Sequence, residues 1–302
     1  MKAMILAAGL GTRLRPLTDI RPKALMPVVN RPVIARNIDY LKIHGVNSMV
    51  VNAHHHYRQI LDYLDIERPF DVDIEVRVEP DILGTGGGLR NCSDLLQRGT
   101  FILINSDIMT DIGLEKVLED HKKNGSMVTL ILHDREPFNQ IRIDEQHRIM
   151  DIARQNDRGR LAFTGIHIME PDIFSFIPDS GYSDIIDCYR KMIDSGVAVN
   201  AYVSMAHYWR DIGNPKSYLS ANREILNMEN RSSSIGRDSH IAPSARIEEW
   251  AVIGEKAHVE DGAEIRRSIL WDNVRVRRNV KIADSIVTGI REVEENLNNE
   301  IN

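Results

Sequence analysis

Two glycines, an arginine and a lysine stand close together at the start of the chain. The order is Leu6-Ala7-Ala8-Gly9-Leu10-Gly11-Thr12-Arg13, followed by Arg21-Pro22-Lys23. Gly9 and Gly11 let the backbone approach a ligand closely and turn N–H groups toward phosphate. Arg13 and Lys23 supply cations for a polyphosphate. The order G-x-x-x-x-G-K-[ST] is absent, so the loop is not of the Walker A type. A second glycine run, Leu83-Gly84-Thr85-Gly86-Gly87-Gly88, follows an apolar stretch and opens a helix. Asp107 ends the run Ile104-Asn105-Ser106-Asp107. A carboxylate at the carboxyl end of a core strand suits Mg²⁺, which takes one or two carboxylates together with phosphate oxygens.

These residues need elements to hold them. Lys2–Ala7, Met49–Ala53, Ile74–Val78, Phe101–Asn105 and Met127–Leu132 are short apolar runs of buried-strand type. Between them Val33–His44, Tyr57–Leu64, Leu89–Gln97 and Leu114–Lys123 carry helical spacing. Strands alternating with helices predict βαβ units and a largely parallel sheet covered on both faces. Ligands of such sheets bind beyond the carboxyl ends of strands, where both glycine runs and Asp107 fall. Further strands are expected at Ile141–Ile143, Leu161–Met169 and Ala198–Val203, and helices at Ser183–Ser195 and Ser217–Asn227. Asp111, just before Gly113 and Leu114, is expected to cap its helix.

Beyond Asn230–Ser234 the pattern changes. Ile235, Ile241, Ile247, Ile253, Val259 and Ile265 recur at every sixth residue, and after a slip Val274, Val280 and Ile286 resume the step. An aliphatic fixed in a six-residue repeat marks a parallel β-helix, each such side chain pointing inward. Three hexapeptides per turn give about three coils. The polar stretch Arg291–Asn302 is expected to cap the coil or to be disordered. Two domains follow, residues 1–230 and 235–290.

Composition sets the outer limits. The chain has 302 residues and a net charge of -6, from 38 Lys+Arg against 44 Asp+Glu. An acidic balance argues against a duplex-binding surface, and the low aromatic content argues against single-strand stacking platforms. Cys92 and Cys188 are too few for a disulfide framework or a zinc cluster, and read as small buried residues. Three consecutive histidines, His54-His55-His56, cannot all face one ion. No apolar run is long enough to span a membrane, so a cytoplasmic location without membrane or nucleic-acid partners is expected.

The string from Leu6 to Val28 resembles the signature of the sugar-nucleotide pyrophosphorylases, L-A-A-G-x-G-T-R-L-x-P-L-T-x-x-x-P-K-x-L-x-P-V. The resemblance extends over about residues 1–228, and the repeats are similar to those of mannose-1-phosphate guanylyltransferase-like members. It implies an α/β class, with a Rossmann-like mostly parallel nucleotidyltransferase sheet and a short C-terminal left-handed parallel β-helix. It also implies transfer of a nucleotidyl group from a nucleoside triphosphate to a sugar 1-phosphate. The nucleotide would be held by Leu6, Ala7, Ala8, Gly9, Gly11 and Thr12 together with Gly84, Thr85 and Gly86. Arg13 and Lys23 become the catalytic cations. Asp107 and Asp211 become the Mg²⁺ ligands, the latter in Trp209-Arg210-Asp211-Ile212-Gly213-Asn214-Pro215, where Asn214 replaces the family's usual Thr. Asn105 and Gly165 would meet the sugar. The Glu-Lys-Pro of many members is missing, leaving Arg154 as the cation for the sugar phosphate.

GTP with mannose 1-phosphate or a related sugar phosphate is the pair the resemblance favours. The alternatives are UTP with an N-acetylmuramate- or glucose-type phosphate, or a non-catalytic subunit that binds sugar nucleotide. The intact Arg13, Lys23, Asp107 and Asp211 favour the enzyme over the last of these. The short repeat lacks the long inserted loop of an acyltransferase, so self-association into a homo-oligomer is its expected role.

Overall fold

The computed structural model describes residues 1–66, 70–155, 159–289 and 292–301. The chain divides into two compact units: Met1–Leu10 with Ile34–Trp209, and Gly11–Val33 with Arg210–Asn302.

The first unit is built on a nine-stranded sheet. Its parallel heart runs Phe101–Asn105, Lys2–Leu6, Ser48–Ala53, Asp73–Val78. Ala3, Met4, Ile5 and Ile102 to Ile104 are fully buried, as strands covered on both faces must be. Leu161–Met169 pairs antiparallel with Phe101–Asn105 on one side and Val128–His133 on the other. Asn200–Val203 adds to Val128–His133 in parallel. The hairpin Asn139–Ile143 with Ile149–Ile152 extends the sheet at the other branch.

Helical spacing explains the covering layers. Helix Leu114–Lys123 buries Leu114, Val117 and His121, with Glu115 in its first turn and His121, Lys122 and Lys123 in its last, as the helix dipole favours. Helix Ile185–Asp194 buries Ile185, Cys188, Tyr189 and Met192, and the Asp184 carboxylate caps it by accepting from the Ile186 N–H. Two expectations need correction here. Asp111 does not cap Leu114–Lys123; Gly113 holds that position without a side-chain bond. Asp111 Oδ1 instead accepts from the Tyr208 N–H at 2.7 Å, so a long-range backbone donor wins over the local cap. The helix expected from Leu89 begins at Gly84 and ends at Asn91, with a separate turn at Ser93–Leu96.

The second unit holds the repeat. Its strands stack in register as a parallel β-helix, with the ladder His240–Ile241, His258–Val259, Arg275–Val276, Glu292–Val293. Four rungs exceed the three coils counted from hexapeptides. The extra turn comes from the tail, where Glu292–Val293 and Leu297–Asn298 form rungs rather than a loose end. The phase slip is a shortening of successive turns from 18 to 17 residues, since Ile241 pairs with Val259 but Val259 pairs with Val276 and Val276 with Val293. Residue 290, the expected end of the domain, and Arg291 lie outside the described residues. Ile253, Val259, Ile265 and Val274 are buried inside the coil, but the inward position expected for Ile286 is held by Val287, which pairs with Leu270 while Ile286 pairs with Ile269. Ile235 is 48% exposed, because it lies at the end of the stack, on an outermost strand with only one neighbour.

Candidate active site

Strand ends and turns of the first unit carry one set of candidate residues. Leu6 ends its strand, and Ala7 and Ala8 are buried while Gly9 emerges to solvent. A methyl group built on Gly9 would meet no protein atom within 4 Å. The protein therefore does not require glycine there by packing, and the open space is on the side a ligand can use.

The second glycine run has the opposite character. A Cβ on Gly86 would stand 2.8 Å from Ser183 Oγ, one on Gly87 2.6 Å from Gly181 O, and one on Gly88 2.6 Å from Asn52 Nδ2. These glycines let the helix Gly84–Asn91 press against the 181–185 segment and the sheet. The Gly86 N–H donates to Ser183 O at 2.8 Å, and the Thr85 hydroxyl accepts from the Ile185 N–H at 2.9 Å. Gly86 and Thr85 thus bond within the protein.

Between the two glycine loops lies a polar bracket that sequence reasoning missed. Asn52 Oδ1 accepts from the Ala7 N–H at 2.8 Å. Asn52 Nδ2 donates to Glu79 Oε1 at 2.7 Å, and Glu79 Oε2 accepts from the Leu83 N–H at 3.3 Å. Asn52 and Glu79 are each only 2% exposed. Burial pushes the Glu79 carboxyl above the usual range, while the Asn52 amide and the Leu83 N–H draw it back. The signature loop and the second glycine loop are tied together through these two side chains.

His54 Nδ1–H donates to Glu79 O at 2.8 Å, which ties this histidine to the same strand end. The His55 and His56 rings pack on each other at 4.0 Å between centroids. Among the described residues no group of three His, Cys, Asp or Glu could hold a metal ion. Cys92 and Cys188 are buried and unpaired, and burial pushes the Cys92 thiol up to about 12. Neither has the character of a nucleophile.

The sugar-side candidates also meet. Gly165 has φ +82, and a Cβ there would lie 2.8 Å from Asn105 Nδ2 and 3.1 Å from Ile108. Only glycine lets the Asn105 amide come this close to the Leu161–Met169 strand. Trp209 Nε1–H fixes the same stretch by donating to Thr164 O at 2.7 Å. Asp107 lies in the half-buried turn between Phe101–Asn105 and Ile108–Thr110. The Ser106 N–H on Leu6 O and the Asn37 amide on Ser106 O hold that turn. Arg154 stands exposed in the bend after Ile149–Ile152.

The second unit carries the cations and the other carboxylate. Gly11 has φ +64, its carbonyl accepts from the Thr18 hydroxyl at 3.0 Å, and a Cβ on it would lie 3.4 Å from Lys23 Cβ. Thr12 and Arg13 follow, both exposed, in the short turn Thr12–Leu14, whose Leu14 is buried. Arg13 and Asp211 converge on Gly213, where a Cβ would collide with the Asp211 carboxylate and stand 3.1 Å from Arg13 Nη2. Asn214 caps helix Pro215–Met228 by accepting from the Ser217 N–H at 2.9 Å. Asn at an N-cap is as good as the Thr it replaces, so this departure keeps the local structure.

The relatives of this chain share both parts. The nucleotidyl transferase family model matches residues 2–228, and the model of the GlmU-like C-terminal hexapeptide matches residues 215–298. Mannose-1-phosphate guanylyltransferase 1 of Arabidopsis thaliana is 28% identical over 319 residues, covering 95% of this chain and 86% of that protein. UTP–glucose-1-phosphate uridylyltransferase of Synechocystis is 26% identical over 340 residues, covering 96% and 87%. Among solved structures, HddC from Yersinia pseudotuberculosis superposes with a TM-score of 0.65 at 24% identity, over 74% of this chain and 99% of that one, and so shares the fold. With an open signature loop, a sheet of this topology and a family match over residues 2–228, the chain belongs to the nucleotidyl transferase family.

Proposed function

We propose that this protein is an enzyme that joins a nucleoside triphosphate to a sugar 1-phosphate, giving a nucleoside diphosphate sugar and pyrophosphate. The family match over residues 2–228 carries this reading. A phosphate oxygen of the sugar phosphate attacks the α-phosphorus in line. The new P–O bond forms as the bond from the α-phosphorus to the pyrophosphate oxygen breaks. Charge neutralisation and positioning carry the catalysis, since no covalent enzyme intermediate is needed. Arg13 and Lys23 neutralise the triphosphate and the leaving pyrophosphate. The open backbone of Ala7, Ala8 and Gly9 receives the nucleoside side, with Leu6, Gly11, Thr12 and the Gly84–Gly86 segment around it. Asn105 and Gly165 receive the sugar, and Arg154 is the proposed cation for its phosphate.

Asp107 and Asp211 offer hard oxygen donors, the donor type Mg²⁺ prefers, and substrate phosphates complete such a set. Mg²⁺, when bound there, supplies Lewis-acid stabilisation of phosphate charge. The Arabidopsis relative supports GTP and mannose 1-phosphate as the substrate pair, and the Synechocystis relative supports UTP and glucose 1-phosphate as the second. A cytoplasmic location is part of this proposal; among the described residues no helix is long and apolar enough to cross a membrane. The β-helix is proposed to mediate a homo-oligomer. Pyrophosphate release from four nucleoside triphosphates against mannose, glucose and N-acetylmuramate 1-phosphates, with Mg²⁺, tests the reaction. Turnover with one pair supports it; silence across the panel overturns it.

A further inference from the structure

The segment Gly11–Val33, which carries Arg13 and Lys23, packs as part of the same unit as the β-helix. The bonds between them are specific. Arg21 Nη2 meets Asp272 Oδ2 at 3.0 Å, and the guanidinium carbon lies 4.8 Å over the Trp271 ring. Trp271 is buried, and its Nε1–H donates to the Tyr218 hydroxyl at 3.2 Å. That hydroxyl donates in turn to Pro27 O at 2.6 Å. Farther along, the Val29 N–H donates to Asn222 Oδ1 at 2.7 Å, and the Asn30 amide donates to Ile253 O at 2.8 Å. Asp272 is itself fixed, because its Oδ1 accepts from the Glu255 N–H of the neighbouring coil at 2.9 Å.

Arg21 is two residues before Lys23, separated by Pro22. The ring of Pro22 leaves little freedom, and Lys23 opens the short helix Lys23–Leu25, closed by the Leu25 N–H on Pro22 O at 2.9 Å. Fixing the Arg21 side chain therefore fixes where the Lys23 stem begins. A planar guanidinium is suited to hold an aromatic face and a carboxylate at once.

We propose that Arg21 is a positioning residue, clamped by Trp271 and Asp272 of the β-helix so that Lys23 is presented to the triphosphate. The repeat is then a working part of the nucleotide site, beyond any role in self-association. The inference rests on Lys23 acting on the triphosphate.

The full-length protein tests it through Arg21→Gln, Asp272→Asn, Arg21→Lys and the Arg21→Gln/Asp272→Asn double variant. Asp272→Asn keeps an oxygen for the Glu255 N–H and loses only the charge. Each neutralising variant should lower kcat/KM for the nucleoside triphosphate about fivefold, the scale of one partly exposed charged contact. KM for the sugar phosphate and the melting temperature should stay unchanged. Arg21→Lys, which keeps the charge but not the planar fork, should fall between wild type and Arg21→Gln, and the double variant should lose no more than either single one, the mark of a coupled pair. Full additivity, or equal losses for both substrates with a lowered melting temperature, overturns the clamp. Calorimetric titration with Mg²⁺ and GTP or UTP separates this from failure of the reaction itself. If wild type binds but never turns over, the reaction reading falls; weaker nucleotide binding by Asp272→Asn still supports the clamp, and unchanged binding overturns it.

Discussion

Asn52→Ala probes the bracket between the glycine loops. The substitution deletes the acceptor of the Ala7 N–H, 2.8 Å away, and the donor to Glu79 Oε1, 2.7 Å away. Ala7 is 5% exposed, so water does not readily replace the lost acceptor. An orphaned buried N–H costs about 1–3 kcal/mol, and a bond to a carboxylate contributes about 1.5–3 kcal/mol. The variant should therefore lose roughly 4 kcal/mol at pH 8, measured by urea unfolding with circular dichroism. The loss should depend on pH with a definite sign. The folded-state pKa of Glu79 is raised by burial, so its favourable contribution is complete below the unfolded pKa and is lost as pH rises through the folded one. Removing Asn52 takes away a stabiliser of the ionised form and raises the folded pKa further. The deficit should then widen from pH 5 to pH 8. The Leu83 N–H keeps its hold on Glu79, while the Ala7–Gly9 loop loses its tether, so KM for the nucleoside triphosphate should also rise. A deficit under about 1 kcal/mol that is flat in pH would refute the bracket.

Other substitutions separate the parts of the site. Lys23→Ala and Asp107→Ala should each cut turnover more than about tenfold, the scale of 1.4 kcal/mol, in the pyrophosphate assay; near-normal rates would remove them from the site. Gly88→Ala should destabilise by about 1–3 kcal/mol through overpacking against Asn52 and Glu79, whereas Gly9→Ala should leave the melting temperature unchanged and raise KM for the nucleotide. Equal thermal losses for both would contradict the packing difference. Burial pulls His167, bonded through Nδ1 to the Tyr189 hydroxyl at 2.7 Å, down to about 3. A depressed histidine stabilises fully above its unfolded pKa near 6.5 and loses that contribution as pH falls toward 3. Stability should thus decline below pH 6.5 with a slope approaching about 1.4 kcal/mol per pH unit from this residue. The slope should flatten in His167→Gln; an unchanged slope in urea titrations at pH 7, 6, 5 and 4 would assign the acid loss elsewhere.

The parts of the fold that a local period encodes were legible in the sequence. Phe101–Asn105, Leu161–Met169 and Leu114–Lys123 occupy the bounds their apolar spacing predicts. The repeat announced itself because Ile253, Val259 and Ile265 recur at one six-residue phase. Its end coils did not, since Ile235 keeps the phase without a neighbour on both sides, and the Glu292–Val293 rung lies in a polar tail. The early start of helix Gly84–Asn91 was hidden because four glycines lower helix propensity, and the close packing that offsets this involves residues about a hundred positions away. Long-range side-chain pairs leave no period at all. Asn52 reads as a strand-end polar residue and Glu79 as a turn residue before proline. Arg21 and Asp272, 251 positions apart, read as two surface charges.

The two glycine loops answer to different physical demands, and that difference bears on how the site works. At Gly9 the missing side chain leaves space that no protein atom fills. At Gly86, Gly87 and Gly88 it is filled at contact distance by Ser183, Gly181, Asn52 and Glu79. The first loop is left open by the protein, as the proposed nucleotide site requires, and the second is packed by its neighbours. A substitution in the second loop would reach the proposed nucleotide site by shifting Glu79 and Asn52, and through them the Ala7 N–H. The same logic holds for the cations. On the proposed reading, a chain with net charge -6 would meet a polyanion by holding Arg13, beside Asp211, and Lys23, behind the Arg21 clamp, in fixed places. Fixed local charge costs little reorganisation when the phosphates arrive, which is why the supports of these residues should matter to turnover as well as to stability.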